Sequence, residues 1–280
     1  MAVDMRELVA DLTAETRALV TILKPLDDAS FDRPTPAAGW AIRDQVSHLA
    51  YFDEAAIAAA SDPERFRAEA AGLMARGAGS TDEIARRYHA MPPPELLAWF
   101  RDARARFVSV FGSLDAKTRL PWYGPDMSAA SSVTARLMET WAHGQDVADA
   151  LGVRREPTAR LRHIAHLGVS TLGFAFALNG RPVPQRPVRV ELTAPDGGTW
   201  AWGPEDAADV VAGTALDFCL VVTQRRNIAD TALRATGPLA AEWMGIAQAF
   251  AGLPGPGRPP GLFTPQEAGD RPGAAREEIA

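Results

Sequence analysis

Apolar residues recur at helical spacing through the first half of the chain. Leu8, Leu12, Leu19 and Leu23 share one face of a segment at 4–24, and His48, Phe52 and Ala55 share a face at 41–61. Leu97, Phe100, Phe107, Phe111 and Leu114 follow at 94–114, then Val133, Leu137, Trp141 and Val147 at 128–151. Such stripes are the core-facing surfaces of amphipathic helices. Four of them predict an N-terminal all-α four-helix bundle. The links at 25–40 and 115–127 are rich in Pro, Asp and Gly, which favours long crossovers over tight hairpins. Residues 62–92 show no regular stripe, and Pro92-Pro-Pro94 stops any helix there.

The pattern changes after Gly152. A helix is expected at about 158–178, followed by strict alternation in Val188-Arg-Val-Glu-Leu-Thr193, the signature of a half-buried strand. Pro195-Asp-Gly-Gly198 reads as a turn, Thr199-Trp-Ala-Trp202 as the returning strand, and Asp209-Val-Val211 as a further short strand. Thr214-Ala-Leu-Asp217 resembles a capping box opening a helix to about Gln224, and Pro238 fits the first turn of a last helix ending near Phe250. These elements predict a smaller C-terminal α+β domain. The expected division is 1–152 for the bundle, 153–251 for the α+β domain and 252–280 for a Pro/Gly-rich, largely disordered tail. Within that tail, Pro259-Pro-Gly-Leu-Phe263 can dock an apolar anchor.

Composition narrows the function. The chain has 280 residues, 47% hydrophobic and 23% charged, and a formal charge of -6. That balance argues against a nucleic-acid partner, because phosphate binding requires a basic surface. The single cysteine, Cys219, sits in the apolar run Leu216–Val222 and reads as a buried core thiol. No charged-then-apolar leader opens the chain, and the apolar stretch Leu167–Leu178 is shorter than the ~18–20 residues a membrane span needs. A cytoplasmic protein with no membrane partner is expected, as a monomer or homodimer.

The candidate chemistry lies in Glu139-Thr-Trp-Ala-His143-Gly-Gln-Asp146. Residues four apart share a helix face, so Glu139 and His143 point the same way, with Asp146 near them. A carboxylate and an imidazole so placed can hold one metal ion if a third ligand arrives, and His48 is the best candidate. Two histidines and a carboxylate leave positions open for water or substrate, and suit zinc, nickel or iron. The same pair also occurs as an ordinary helix contact worth ~0.2–0.5 kcal/mol, and His48 also fits as a satisfied core histidine. Asp146 fits a ligand-orienting or general-base role, or a solvated carboxylate. Gln45, one turn before His48, is placed to hydrogen-bond substrate. Arg225 and Arg226 are placed to receive a carboxylate of a thiol cofactor or acid substrate. Trp40 reads as packing at a helix start, His163 and His166 lack a third ligand, and His89 reads as exposed.

Gly39-Trp40, Asp44-Gln-Val-Ser-His48-Leu and Glu139-Thr-Trp-Ala-His143-Gly-Gln-Asp146-Val-Ala-Asp-Ala-Leu resemble the mycothiol-dependent maleylpyruvate isomerase family, within the DinB-like metal-binding bundles. The resemblance covers about residues 5–152, and the C-terminal half is similar to that family's second domain, which is related to sterol carrier folds. It implies a divalent metal, usually zinc, held by His48, Glu139 and His143. It also implies mycothiol as cosubstrate, its sulfur bound by the metal as thiolate and added to a small electrophilic substrate, with isomerisation or S-transfer following. Asp217–Asn227 departs from the Gly-Arg pattern expected in that family, which argues against maleylpyruvate itself as the substrate. Two other readings are a metal-dependent hydrolase or lyase using bound water, and a non-catalytic carrier with Trp200 and Trp202 lining a cavity.

Overall fold

The computed structural model describes residues 4–75 and 80–263. Four long helices form the bundle: α1 (Met5–Leu23), α2 (Ile42–Ser61), α5 (Pro93–Gly112) and α6 (Ala129–Leu151). Helix α2 packs on α5 and α6, and α1 packs on α6 and α5. The leucine face of α1 and Phe100, Phe107 and Phe111 of α5 are buried, as their spacing requires. The Phe107 and Phe111 rings stack at 4.1 Å. Each such side chain contributes about 1.5–3 kcal/mol by leaving water.

Local chemistry sets the helix starts. Asp4 accepts from the Arg6 backbone N–H at the start of α1, and Ser128 accepts from that of Ser131 at the start of α6. Each satisfies a donor that has no partner within its helix. At α2 the Asp44 carboxylate reaches back to the Ala41 N–H at 2.8 Å.

The described residues of 62–92 form helices that no stripe in the sequence announces. They include α3 (Pro63–Met74), capped by Asp62, and α4 (Ser80–Arg87). The proline run does not only stop a helix: α5 begins at Pro93, where a missing N–H costs nothing. The 115–127 link holds a minimal antiparallel pair, β1 (Arg119–Leu120) with β2 (Met127–Ser128).

Beyond Gly152 the expected single helix is two, α7 (Leu161–Ser170) and α8 (Leu172–Leu178), bent by 52°. Among the described residues no single helix is long and apolar enough to cross a membrane. Strands β3 (Val188–Thr193), β4 (Thr199–Trp202) and β5 (Asp209–Thr214) lie where the alternation places them, and β6 (Arg234–Thr236) completes a sheet of order β4-β3-β5-β6. The β3–β5 pair is parallel and the other two are antiparallel. Helix α9 (Ala215–Val222) is capped by Thr214, but Asp217 does not reach back to complete a capping box; its carboxylate accepts from the Ala232 N–H instead. The last helix, α10 (Pro238–Ile246), ends before Phe250. Gly168 lets α7 approach α9 closely, since a Cβ there would sit 2.8 Å from the Val222 side chain.

The two halves share one core. A single buried cluster runs from Leu8, Phe111 and Leu137 of the bundle through Leu161 and Ile164 to Val190, Phe218 and Trp243. Polar clamps reinforce it. Buried Glu15 of α1 binds Arg155 and Arg160 of the segment leading into α7, the latter at 2.8 Å. The tail joins them as well. Residues 252–263, expected to be disordered, lie against the protein: Arg258 binds Asp146 at 2.5 Å and donates to the Pro36 carbonyl, while the Phe263 ring lies 3.5 Å from the Arg226 guanidinium carbon. The remainder of the expected disordered tail, 264–280, lies outside the described residues.

Candidate metal centre

Helices α2 and α6 bring His48, Glu139 and His143 together, with one potential ligand atom from each within 4.8 Å of the others. Glu139 Oε2 lies 2.9 Å from His143 Nε2 and 3.5 Å from His48 Nε2. Donors about 2.0–2.2 Å from one ion can lie up to ~4 Å apart, so both separations suit a shared ion. His143 is buried, and His48 and Glu139 are nearly so.

The hydrogen bonds around His143 limit where its proton can be. Nδ1 lies 2.5 Å from Gln45 Oε1. Thr35 fixes which end of the Gln45 amide faces the ring. Its hydroxyl donates to the Trp40 carbonyl at 2.8 Å and accepts from Gln45 Nε2 at 2.8 Å. The amide oxygen therefore faces Nδ1, and an oxygen only accepts. Nδ1 is the donor, so in a neutral ring the bare Nε2 confronts the Glu139 carboxylate, another acceptor, at 2.9 Å. A positive charge, either a proton or a metal ion, relieves that confrontation. His48 is also under-satisfied, since its buried Nδ1 has no hydrogen-bond partner among the described residues.

Burial, with a contribution from neighbouring His143, lowers the His48 pKa to about 4, which leaves one ring nitrogen with a free lone pair at neutral pH. Burial alone would raise that of Glu139, but the facing His143 and His48 rings outweigh it when a proton lies between them and the carboxylate, and hold the carboxyl well below its usual range, so such a proton rests on an imidazole. The group is thus two imidazoles around an ionised carboxylate, the donor chemistry of a divalent-cation site.

Aromatic rings wall the group. Trp40 lies nearly parallel to His143 with centroids 5.9 Å apart and tilts against His48 at 5.3 Å, while Phe52 meets His48 at 4.6 Å. Gly39, at φ 78°, makes the turn that presents Trp40, a backbone conformation other residues adopt only with strain. The Trp40 indole N–H is held by Asp82 of α4 at 2.8 Å.

The other expected site residues are engaged elsewhere. Asp146 does not face the trio: its fully buried carboxylate takes Arg225 at 2.8 Å and Arg258 at 2.5 Å. Arg226 grips Asp149 through two bonds of 2.7 and 2.8 Å. Both arginines expected to meet a cofactor carboxylate therefore tie the C-terminal half to α6. Gln45 is fully buried and bonded at both ends of its amide, so it orients His143 rather than facing open space. His163 pairs with Asp11 at 2.8 Å, and His89, half-exposed, pairs with Asp44 at 2.7 Å. Cys219 is fully buried as expected, and burial pushes its thiol pKa well up. Trp200 and Trp202 pack partly buried against the shared core.

Sequence reasoning did not find Thr35 or the ionic cluster beside the trio. In that cluster buried Asp53 accepts from Arg104 at 2.7 Å and Arg136 at 2.9 Å, and Arg104 also donates to Thr16 and Thr140. Helical spacing was the available signal: Arg136 lies one turn before Glu139 on α6, and Asp53 follows His48 on α2.

This four-helix bundle with a two-helix His/Glu/His cluster, extended by a small mixed sheet, matches known proteins. Residues 12–148 match the family described as mycothiol maleylpyruvate isomerase N-terminal domain, and residues 184–236 match one described as wyosine base formation. The N-terminal half thus carries the N-terminal domain of the mycothiol maleylpyruvate isomerase family. It is 48% identical over 255 residues to the uncharacterized protein Rv0036c of Mycobacterium tuberculosis and equally to its counterpart MT0041 in another strain, covering 91% of this chain and 99% of each relative. The fold matches a crystal structure of the mycothiol-dependent maleylpyruvate isomerase with a TM-score of 0.54 at 16% identity, over 80% of this chain and 90% of that one. A mutant of that isomerase gives the same values.

Proposed function

We propose that this chain is a divalent-metal-dependent enzyme in which His48, Glu139 and His143 hold the ion, and that mycothiol is its thiol cosubstrate toward a small electrophilic substrate. The observation that carries the reading is the confrontation of His143 Nε2 with the Glu139 carboxylate at 2.9 Å, with Nδ1 already committed to Gln45. Zinc suits two imidazoles and a carboxylate; nickel and iron suit them too. A divalent ion bound there supplies Lewis acidity, which favours ionisation of a thiol or water at an open coordination position.

The protein's own residues do the rest. Glu139 supplies negative charge to a site whose other two ligands are neutral imidazoles. Gln45 holds the His143 ring in orientation. Trp40 and Phe52 wall the histidines with apolar surface and limit water around the reacting groups. The chain's one thiol, on Cys219, is buried away from this group, so thiol chemistry requires an external thiol. The name of the family supports mycothiol in that role.

Calorimetry with mycothiol tests the reading. Zinc-loaded protein is expected to bind mycothiol, and protein stripped with a chelator is expected to lose that binding. Equal binding to both forms, or none to the loaded form, would overturn the thiol role and leave bound-water chemistry as the better account.

A further inference from the structure

The hydrogen-bond chain from Trp40 through Thr35 and Gln45 to His143 has a fixed direction. The Trp40 carbonyl can only accept, so the Thr35 hydroxyl spends its one proton there, at 2.8 Å. The Thr35 oxygen is then an acceptor and takes the Gln45 N–H at 2.8 Å. That choice turns Gln45 Oε1 onto His143 Nδ1. The chain starts from a rigid piece of backbone. Thr35 N–H donates to the Trp40 carbonyl at 2.8 Å, Ile42 N–H donates to the Arg33 carbonyl at 3.1 Å, and Pro34 and Ala41 form a bridge. Arg258 holds the same loop through the Pro36 carbonyl.

We infer that Thr35 and Gln45 are a positioning pair that keeps the His143 proton on Nδ1 and turns its Nε2 lone pair toward Glu139 and His48. This deepens the metal-centre reading and rests on it for its purpose. An imidazole binds metal only through a deprotonated nitrogen, and the tautomer is set by the partner of the other nitrogen. Here that partner is a neutral amide, whose own orientation depends on a hydroxyl two bonds further away. A flipped amide would present an N–H to Nδ1, and the ring proton would then move to Nε2, the nitrogen the cluster needs bare.

The test is nitrogen-15 NMR of the histidine rings in the full-length, metal-free protein at about pH 9, where imidazoles with a reference pKa of ~6.5 are neutral, with His143 assigned by loss of its signals in His143→Ala. The wild type should show the His143 proton on Nδ1, and Thr35→Ser should preserve it. Thr35→Val, which keeps the shape but removes the acceptor, should shift the ring toward the Nε2–H form and weaken zinc binding about 10–100-fold. Gln45→Glu keeps an acceptor and should hold the proton on Nδ1; Gln45→Leu should release it. A wild-type proton on Nε2, or a Thr35→Val protein with unchanged tautomer and zinc affinity, would overturn the inference. The wild-type spectrum decides even if a variant fails to fold. A correct tautomer in a protein that takes up no zinc would uphold the pair and remove the metal centre.

Discussion

Helices α2 and α6 carry two polar clusters about a turn apart, and the two are built differently. In the inner one, Asp53 is fully buried, and its two oxygens accept three hydrogen bonds from Arg104 and Arg136. Further arginine donors reach Thr16, Thr140 and the Leu49 carbonyl. In the outer cluster, His48 Nδ1 has no partner among the described residues and His143 Nε2 faces a carboxylate without a settled proton between them. The first cluster is held together by protein atoms alone; the second leaves a ring nitrogen unpartnered among the described residues and an imidazole nitrogen facing a carboxylate. Buried polar groups are normally satisfied, so the open cluster is the one proposed to carry function, and the closed one ties α2 to α6.

The comparison predicts opposite responses to mutation. Asp53→Ala leaves two buried guanidinium groups without their counter-ion and should destabilise the fold by about 3–5 kcal/mol in urea unfolding. A loss below ~1 kcal/mol would show that the inner cluster is not what holds the helices. Asp146→Asn removes the charge that Arg225 and Arg258 share, and should cost about 1–3 kcal/mol. It should do so with zinc stoichiometry unchanged; loss of the ion in that variant would place Asp146 within the centre after all. The outer cluster should show the reverse pattern. His48→Gln should change the stability of metal-free protein by less than about 1 kcal/mol while zinc binding weakens severely.

The same comparison extends to pH dependence. His48 has a folded-state pKa of about 4, against about 6.5 in the unfolded chain. Between those values the unfolded state binds the extra proton, so metal-free protein should lose stability as pH falls from about 6.5 toward 4. Glu139 stays ionised across most of that window, because its carboxyl is held well below the usual range. Unfolding curves of wild type and His48→Gln should therefore nearly coincide at neutral pH and separate as pH falls toward 4, where wild type loses stability that the variant keeps. Parallel curves would mean that His48 titrates normally.

Periodicity made the bundle legible, because each long helix has one apolar stripe and one partner surface. Strands β3 and β4 were legible for the same reason: Val188, Val190 and Leu192 are buried while Glu191 and Thr193 are exposed. Helices α3 and α4 were not, because each buries too few residues to make a stripe: Phe66 and Ala70 on α3, Ile84 and Ala85 on α4. The 252–263 segment was hidden by its composition. Its anchoring comes from single residues, Arg258 and Phe263, that meet partners far away in sequence. The trio could be read because Glu139 and His143 are one helical turn apart and His48 is a lone polar ring in an apolar helical run, and the family resemblance implied the same three residues. Thr35 could not be read at all. Its role depends on a loop folding back over Gln45, and nothing in Pro34-Thr-Pro36 signals that contact. Asp146, Arg225 and Arg226 show the converse difficulty: charged residues near a motif suit chemistry or pairing alike in sequence, and in the structure their ion pairs join the two halves of the chain.

Metal content of the purified protein tests the central claim most directly. Wild type dialysed against zinc should retain one ion per chain, and His143→Ala, folded by circular dichroism, should retain essentially none. Zinc retained undiminished by His143→Ala, or absent from the wild type, would contradict the assignment of His48, Glu139 and His143 as a metal centre.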